Sequence, residues 1–192
     1  NDLGMLFSST DKVQDAVDAY QRAAEIRKAL VADFPSTPKF RDGYARTLFN
    51  QGQLLLHSAR LEDSIRVFQE AAEAYGHLTS SVRDDPGYRD QLGRTYCNLG
   101  VLFTHQDRFK EAEDAYRQAI SVQSVLVDEF PASVSYHEPL ILQWGNLGTV
   151  LWRTGRLDEA MEARQKQIEL LRDLVSQFPG QPAQKNQLGQ AH

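Results

Sequence analysis

Asn98-Leu-Gly-Val-Leu-Phe103, followed by Arg108-Phe-Lys-Glu-Ala-Glu-Asp-Ala-Tyr-Arg-Gln-Ala119, is the stretch that decides the fold. In its second half, Phe109, Ala112, Ala115, Tyr116, Ala119 and Ile120 follow the 3, 4, 7 spacing of an amphipathic helix. Moving outward from Gly100 in steps of 48 residues reaches Gly4, Gly52 and Gly148. The same step links Asn50, Asn98 and Asn146, and Arg60, Arg108 and Arg156, and it fills a leucine column at 30, 78, 126 and 174. Phe34-Pro35, Phe130-Pro131 and Phe178-Pro179 share two further columns. No insertion is needed, so the chain is a repeat.

Each period predicts two helices. The first, helix A, is expected over about 38–57, 86–105 and 137–153, with partial copies at both termini; the second, helix B, over about 11–34, 60–82, 108–130 and 156–178. Thr37 and Asp85 suit the N-cap position, each followed by a proline whose missing N–H costs nothing in the first turn. Most B segments stop at Phe-Pro, because proline disfavours helical geometry in the residue before it. Alternating β-branched runs closed by Asn-Gly or Asp-Gly are absent, so the expectation is an all-α chain with one repeat domain over 1–192. A single hairpin cannot bury its apolar face, whereas stacked neighbours can, giving a solenoid. Gly52, Gly100 and Gly148 are expected to face the small residues Ala16, Ser64, Ala112 and Ala160. A glycine inside a helix costs roughly 1 kcal/mol against alanine, so its recurrence calls for a packing reason.

The Asn98–Phe103 and Arg108–Ala119 strings, with Asn146-Leu-Gly-Thr-Val-Leu151 and Gly155-Arg-Leu-Asp-Glu-Ala160, closely resemble the tetratricopeptide (TPR) signature. The resemblance covers the whole chain and implies an α-α superhelix that binds a peptide or partner protein. The usual repeat has about 34 residues; the extra length here equals about two turns on each helix. Long repeats with this Phe-Pro-x-x-Pro joint resemble arrays of planctomycete-type bacterial proteins, some appended to serine/threonine kinases. No kinase motif lies in this chain.

The resemblance implies that helix A lines a concave groove and helix B forms its back. It assigns the groove to Arg46, Asn50, Gln53 and His57, then Arg94, Asn98, Val101 and His105, then Asn146, Thr149, Trp152 and Arg153. An asparagine carboxamide offers two donors and an acceptor, so it can satisfy both polar groups of a peptide backbone. Arginine can pair with acidic groups as a bidentate fork. The asparagines could instead bond neighbouring helices, and the arginines could simply be solvated. The carboxylate clamp of some family members is not reproduced: its columns hold Phe49, Cys97, Gly145 and Leu142, so a C-terminal peptide is only one option. Trp144 falls in the core aromatic column; Trp152, if exposed beside Arg153, would be an interface anchor. His57 and His105 lack carboxylate or thiolate support for a metal and read as polar lining.

Composition narrows the partners. The 192 residues are 41% hydrophobic and 24% charged, with net charge −5. That balance argues against nucleic acid or anionic membrane as a general partner. The longest uncharged stretch, Pro139–Trp152, is 14 residues and contains Gln143 and Asn146; a bilayer span needs roughly 20 apolar residues. The single Cys97 cannot form an internal disulfide and is expected to pack. No secretory leader is visible, and a cytoplasmic location is expected. Gly-x-Ser-x-Gly, Walker, His-Glu-x-x-His and kinase motifs are missing, so neither an enzyme, a cofactor nor a metal is expected. Three readings follow: a scaffold holding a peptide or protein in the groove, a regulatory segment of a larger signalling protein, and a homo-oligomer built through bare solenoid ends.

Overall fold

The computed structural model describes residues 10–82 and 84–178. The partial A segments expected at the two ends lie outside these residues, as does Gly4. Among the described residues there are seven helices and no strand: α1 (Thr10–Asp33), α2 (Pro38–His57), α3 (Leu61–Ser81), α4 (Pro86–His105), α5 (Phe109–Glu129), α6 (Val134–Arg153) and α7 (Leu157–Gln177). The A helices are α2, α4 and α6; the B helices are α1, α3, α5 and α7. The third A helix starts at Val134, earlier than position 137, with Pro139 inside it. Pro139 stands only six residues into the helix, so it removes one backbone bond near an end where bonds are already missing.

The B-to-A joint follows from its aromatic-proline chemistry. Phe34 and Phe130 donate their N–H groups back to Leu30 and Leu126 at 3.0 and 2.9 Å, closing the last turn before proline. Their rings then meet the first aromatic of the next helix, Phe40 at 5.4 Å and Tyr136 at 5.7 Å. At Asp85 the carboxylate accepts the Gly87 N–H at 2.9 Å, completing a cap. Thr37 occupies the corresponding position without a side-chain bond.

The A-to-B turn is tighter. Arg60, Arg108 and Arg156 donate N–H to the carbonyls of Leu55, Phe103 and Leu151 at 2.9, 2.9 and 3.0 Å. Between helix and arginine sits one residue with positive φ: Ala59 (58°), Asp107 (56°) or Gly155 (77°). This is the Schellman arrangement, in which a left-handed residue turns the chain so that orphan helix carbonyls are satisfied. Each arginine then grips the acid three residues on, Asp63, Glu111 or Glu159. Arg60 and Arg156 also reach the preceding B helix, at Gln14 (3.1 Å) and Glu113 (2.5 Å).

The chain divides into two compact units, Asn1–Leu102 and Phe103–His192. In the first, α2 packs on both α1 and α3. Ala45, Leu48 and Leu55 of α2 are buried with Phe68, Ala71, Tyr75 and Leu78 of α3. Each large side chain of this set contributes about 1.5–3 kcal/mol on burial. Polar ties reinforce it: Arg27 donates to the Gly43 carbonyl at 2.6 Å, and Glu70 accepts from Tyr44 of α2 and Lys28 of α1. In the second unit α6 packs on α5 and α7. Ile141, Leu171 and Leu174 form one core cluster there, with Val134, Leu170 and Phe178 packed against it.

Small residues let the A and B helices approach, though the closest neighbour of Gly52 is not the expected one. Ser64 does meet Gly52, donating to its carbonyl at 2.8 Å. The closer neighbour is the Phe68 ring, 2.9 Å from where a Cβ at Gly52 would stand. At Gly148 the equivalent distances are 3.4 Å to Arg164 and 3.5 Å to the Ala160 carbonyl, which is ordinary contact.

Candidate functional site

Helical spacing puts Arg46, Asn50, Gln53 and His57 along one stripe of α2. Arg46, Asn50 and His57 are exposed and Gln53 is half-buried. On α4, Arg94 and His105 are exposed while Asn98 and Val101 are half-buried. On α6, Trp152 and Arg153 are exposed, with Asn146 and Thr149 half-buried. The structure therefore places all twelve on the surface or at its edge, and brings each set of four onto its own helix.

Their bonding separates them. Arg94 is held by Asp90 at 2.8 Å, four residues back. His57 donates from Nδ1 to the Gln53 carbonyl at 2.6 Å, closing its own helix end. Arg153 pairs with Asp107 at 2.7 Å and lies over the Phe109 ring at 4.6 Å. Thr149 donates to the Gly145 carbonyl at 3.1 Å and accepts from Arg164 at 3.0 Å. Arg46 makes no ion pair among the described residues. Asn50, Asn98 and Asn146 make no side-chain hydrogen bond there either, and none has a buried amide atom. The alternative in which these asparagines bond neighbouring helices is thus absent from the described residues. Three carboxamides at one repeat position, Asn50 exposed and Asn98 and Asn146 half-buried, leave donors and acceptor unbonded within the described residues.

The buried polar column of helix A behaves differently. Thr47 and Thr95 donate to the carbonyls of Gly43 and Gln91, at 2.8 and 2.7 Å. Gln143, next in that column and fully buried, has neither amide atom bonded. Trp144 is half-buried.

The second unit holds a feature that sequence reading missed. An open cleft of about 1390 Å³ lies along α6 and α7, with Gly148, Trp152, Leu157, Ala160, Met161 and Ile168 among its lining. A signal existed in the columns. Arg164 stands where Tyr20, Phe68 and Tyr116 stand in other repeats, and Met161 follows Val17, Ile65 and Glu113. No group of three or more His, Cys, Asp or Glu able to hold a metal occurs among the described residues. None of the described helices is long and apolar enough to cross a membrane.

The fold so defined is an all-α array of antiparallel helix hairpins, the architecture of helical repeat proteins. Three tetratricopeptide repeat models match the sequence, over residues 1–36, 93–124 and 144–172, together just over half of its length. The chain belongs to the tetratricopeptide repeat family, whose repeats build protein-interaction scaffolds. Among solved structures, BtubC (BKLC) from P. vanneervenii is similar with a TM-score of 0.51 at 11% identity, over 93% of this chain and 86% of that one. A crystal structure of MamA gives 0.42 at 17% identity, over 96% and 84%. A de novo designed helical repeat protein gives 0.43 at 19%, over 95% and 80%. The first of these shows the fold alone. No curated protein sequence matches the chain.

Proposed function

We infer that the exposed faces of the A helices hold an extended segment of a partner protein, gripped mainly through its backbone. The three unbonded asparagine amides support this reading most directly. A peptide in extended conformation carries a row of unpaired N–H and C=O groups, and a carboxamide can bond either kind. Recognition of that type supplies affinity while reading few side chains. Arg46 adds a cation without an internal partner. Arg94 is held through Nε by the largely buried Asp90 carboxylate, which leaves its terminal guanidinium nitrogens for an acidic side chain of the ligand.

Within the first unit the proposed face is Arg46, Asn50 and Gln53 of α2 with Arg94, Asn98 and Val101 of α4. Within the second it is Asn146, Thr149 and Trp152 of α6, where the exposed indole (65% accessible) replaces a cation as anchor. His57 is spent on its own helix end, and Arg153 on Asp107 and the Phe109 ring, so both are left out of the binding set.

The test is capture from a peptide library displayed against the wild-type chain, followed by affinity measurement on variants. Arg94→Ala with Asn98→Ala should weaken the captured peptide by tenfold or more while far-UV circular dichroism stays unchanged. Undiminished binding to the double variant would reject this site.

A further inference from the structure

The cleft between α6 and α7 carries the chemistry of a buried helix-packing surface while standing open. Trp152, Leu157 and Met161 are 65, 56 and 69% exposed. In the same columns of the first unit, Leu56 and Leu61 are half-buried and Ile65 is 5% exposed. Leu157, Met161 and Ile168 form one narrow stripe along α7, since about 3.6 residues per turn brings them within about 40° of one another. The stripe is about 16 Å long at roughly 1.5 Å per residue. Gly148 and Ala160, also in the lining, are small enough to admit a large side chain. Exposed apolar groups clustered in this way mark an interaction surface.

We propose that the cleft receives an amphipathic helix of a partner protein, apolar on its buried side and carrying lysine or arginine along one flank. The apolar lining favours a helix over an extended strand, because a helix satisfies its own backbone N–H and C=O groups and a strand does not. Helix-in-groove recognition uses anchors spaced by one and two turns. Leu157 and Met161 are one turn apart, and Ile168 lies two turns further on. The charge of the partner is read from the rim. Asp158, Glu162 and Glu169 are exposed and line the cleft. They fall within about 40° of one another, on the side of the stripe away from the buried Ala160, Ala163 and Leu171. The lining cations do not balance them. Arg164 leans onto α6, donating to Thr149 at 3.0 Å, and Lys166, beyond the rim, meets Glu169 alone at 3.4 Å. Asp158 and Glu162 make no ion pair among the described residues. Like charges four residues apart on one helix repel each other, and a cation set between them relieves both. A basic flank on the partner does this while its apolar side fills the cleft.

This inference does not rest on the peptide reading, which concerns the asparagine face of the A helices. The probe is a fluorescein-labelled amphipathic helix of leucine and lysine, with a leucine–glutamate helix of the same pattern as its counterpart. Fluorescence anisotropy measures both, and circular dichroism confirms that each variant folds. The leucine–lysine helix should bind about tenfold or more tighter than its counterpart. Glu162→Lys should weaken it about tenfold, and so should Leu157→Ser with Met161→Ser. Asp15→Asn with Glu25→Gln, on α1, changes the net charge as much as Glu162→Lys does and should leave binding within about twofold. Equal binding of the two helices, or an equal loss in the α1 variant, would overturn the proposal by reducing the attraction to net charge. A chain that binds neither helix would overturn it as well, and self-association lost with Met161→Ser would then assign the cleft to a second copy.

Discussion

Gly52 and Gly148 occupy one column of the repeat, yet a methyl group added at each meets different surroundings. At Gly52 it would press on the fully buried Phe68 ring, which is locked against Phe49 with ring centroids 5.6 Å apart. At Gly148 it would touch the aliphatic part of the exposed Arg164, which can move. Gly52→Ala should therefore destabilise by about 1–3 kcal/mol, as overpacking does. Gly148→Ala should be neutral or gain up to about 1 kcal/mol from helix propensity. Urea unfolding of the two variants decides the point, and equal losses at both sites would refute the difference in packing. Gln143 shows the same lesson for polar groups, since a column position filled by self-satisfying threonine twice is filled the third time by an amide that its helix cannot satisfy.

At the scale of the helix, the arginines that precede α3 and α7, Arg60 and Arg156, join successive B elements. In the second unit Arg156 and Arg117 both bond Glu113 of α5, whose side chain is only 17% exposed. Burial pushes the Glu113 carboxyl up, but the hydrogen bonds from Arg117 and Arg156 outweigh it and hold the group below its ordinary 4.5. A carboxyl depressed in the folded state stabilises the fold above the unfolded value and loses that contribution as pH falls through the folded one. Glu113→Gln should cost about 1–2 kcal/mol at neutral pH, hydrogen bonds to charged groups being worth roughly that. The gap between wild type and variant should close below pH 4.5. Thermal melts from pH 7 to pH 3 measure it, and a constant gap would show that Glu113 acts through packing alone. These elements were largely legible beforehand. Proline after phenylalanine, and proline after Thr37 or Asp85, mark helix ends through steric rules that act locally. What local rules missed depends on tertiary closure: Ala59 and Asp107 adopt the left-handed conformation that sequence assigns readily only to Gly155. Pro139 sits inside α6 because the helix begins at Val134 and not beyond it. Among the surface residues, the tetratricopeptide resemblance pointed to the stripes of α2, α4 and α6, but the partners that occupy His57, Arg94 and Arg153 were not visible in it.

For the molecule as a whole, the proposed reading separates structural duty from binding duty by column. The leucine, alanine and glycine columns build hairpins inside each unit, while the asparagine column contributes no bond to the described fold. Keeping a side chain with strong hydrogen-bonding capacity in solution at three successive repeats costs the fold little and leaves that capacity for a ligand. The α6–α7 cleft is a second surface with different chemistry, apolar and large. The asparagine face repeats down one column, whereas the cleft depends on a departure, Arg164 standing where Tyr20, Phe68 and Tyr116 stand in the other repeats. The most direct test of the central claim is an NMR titration of the chain with its library-captured peptide, following the side-chain amide signals of Asn50, Asn98 and Asn146. The account predicts that at least the Asn50 and Asn98 signals shift and saturate together with peptide. Signals that stay fixed while resonances of α1 and α3 move would place the ligand on the B helices and contradict it.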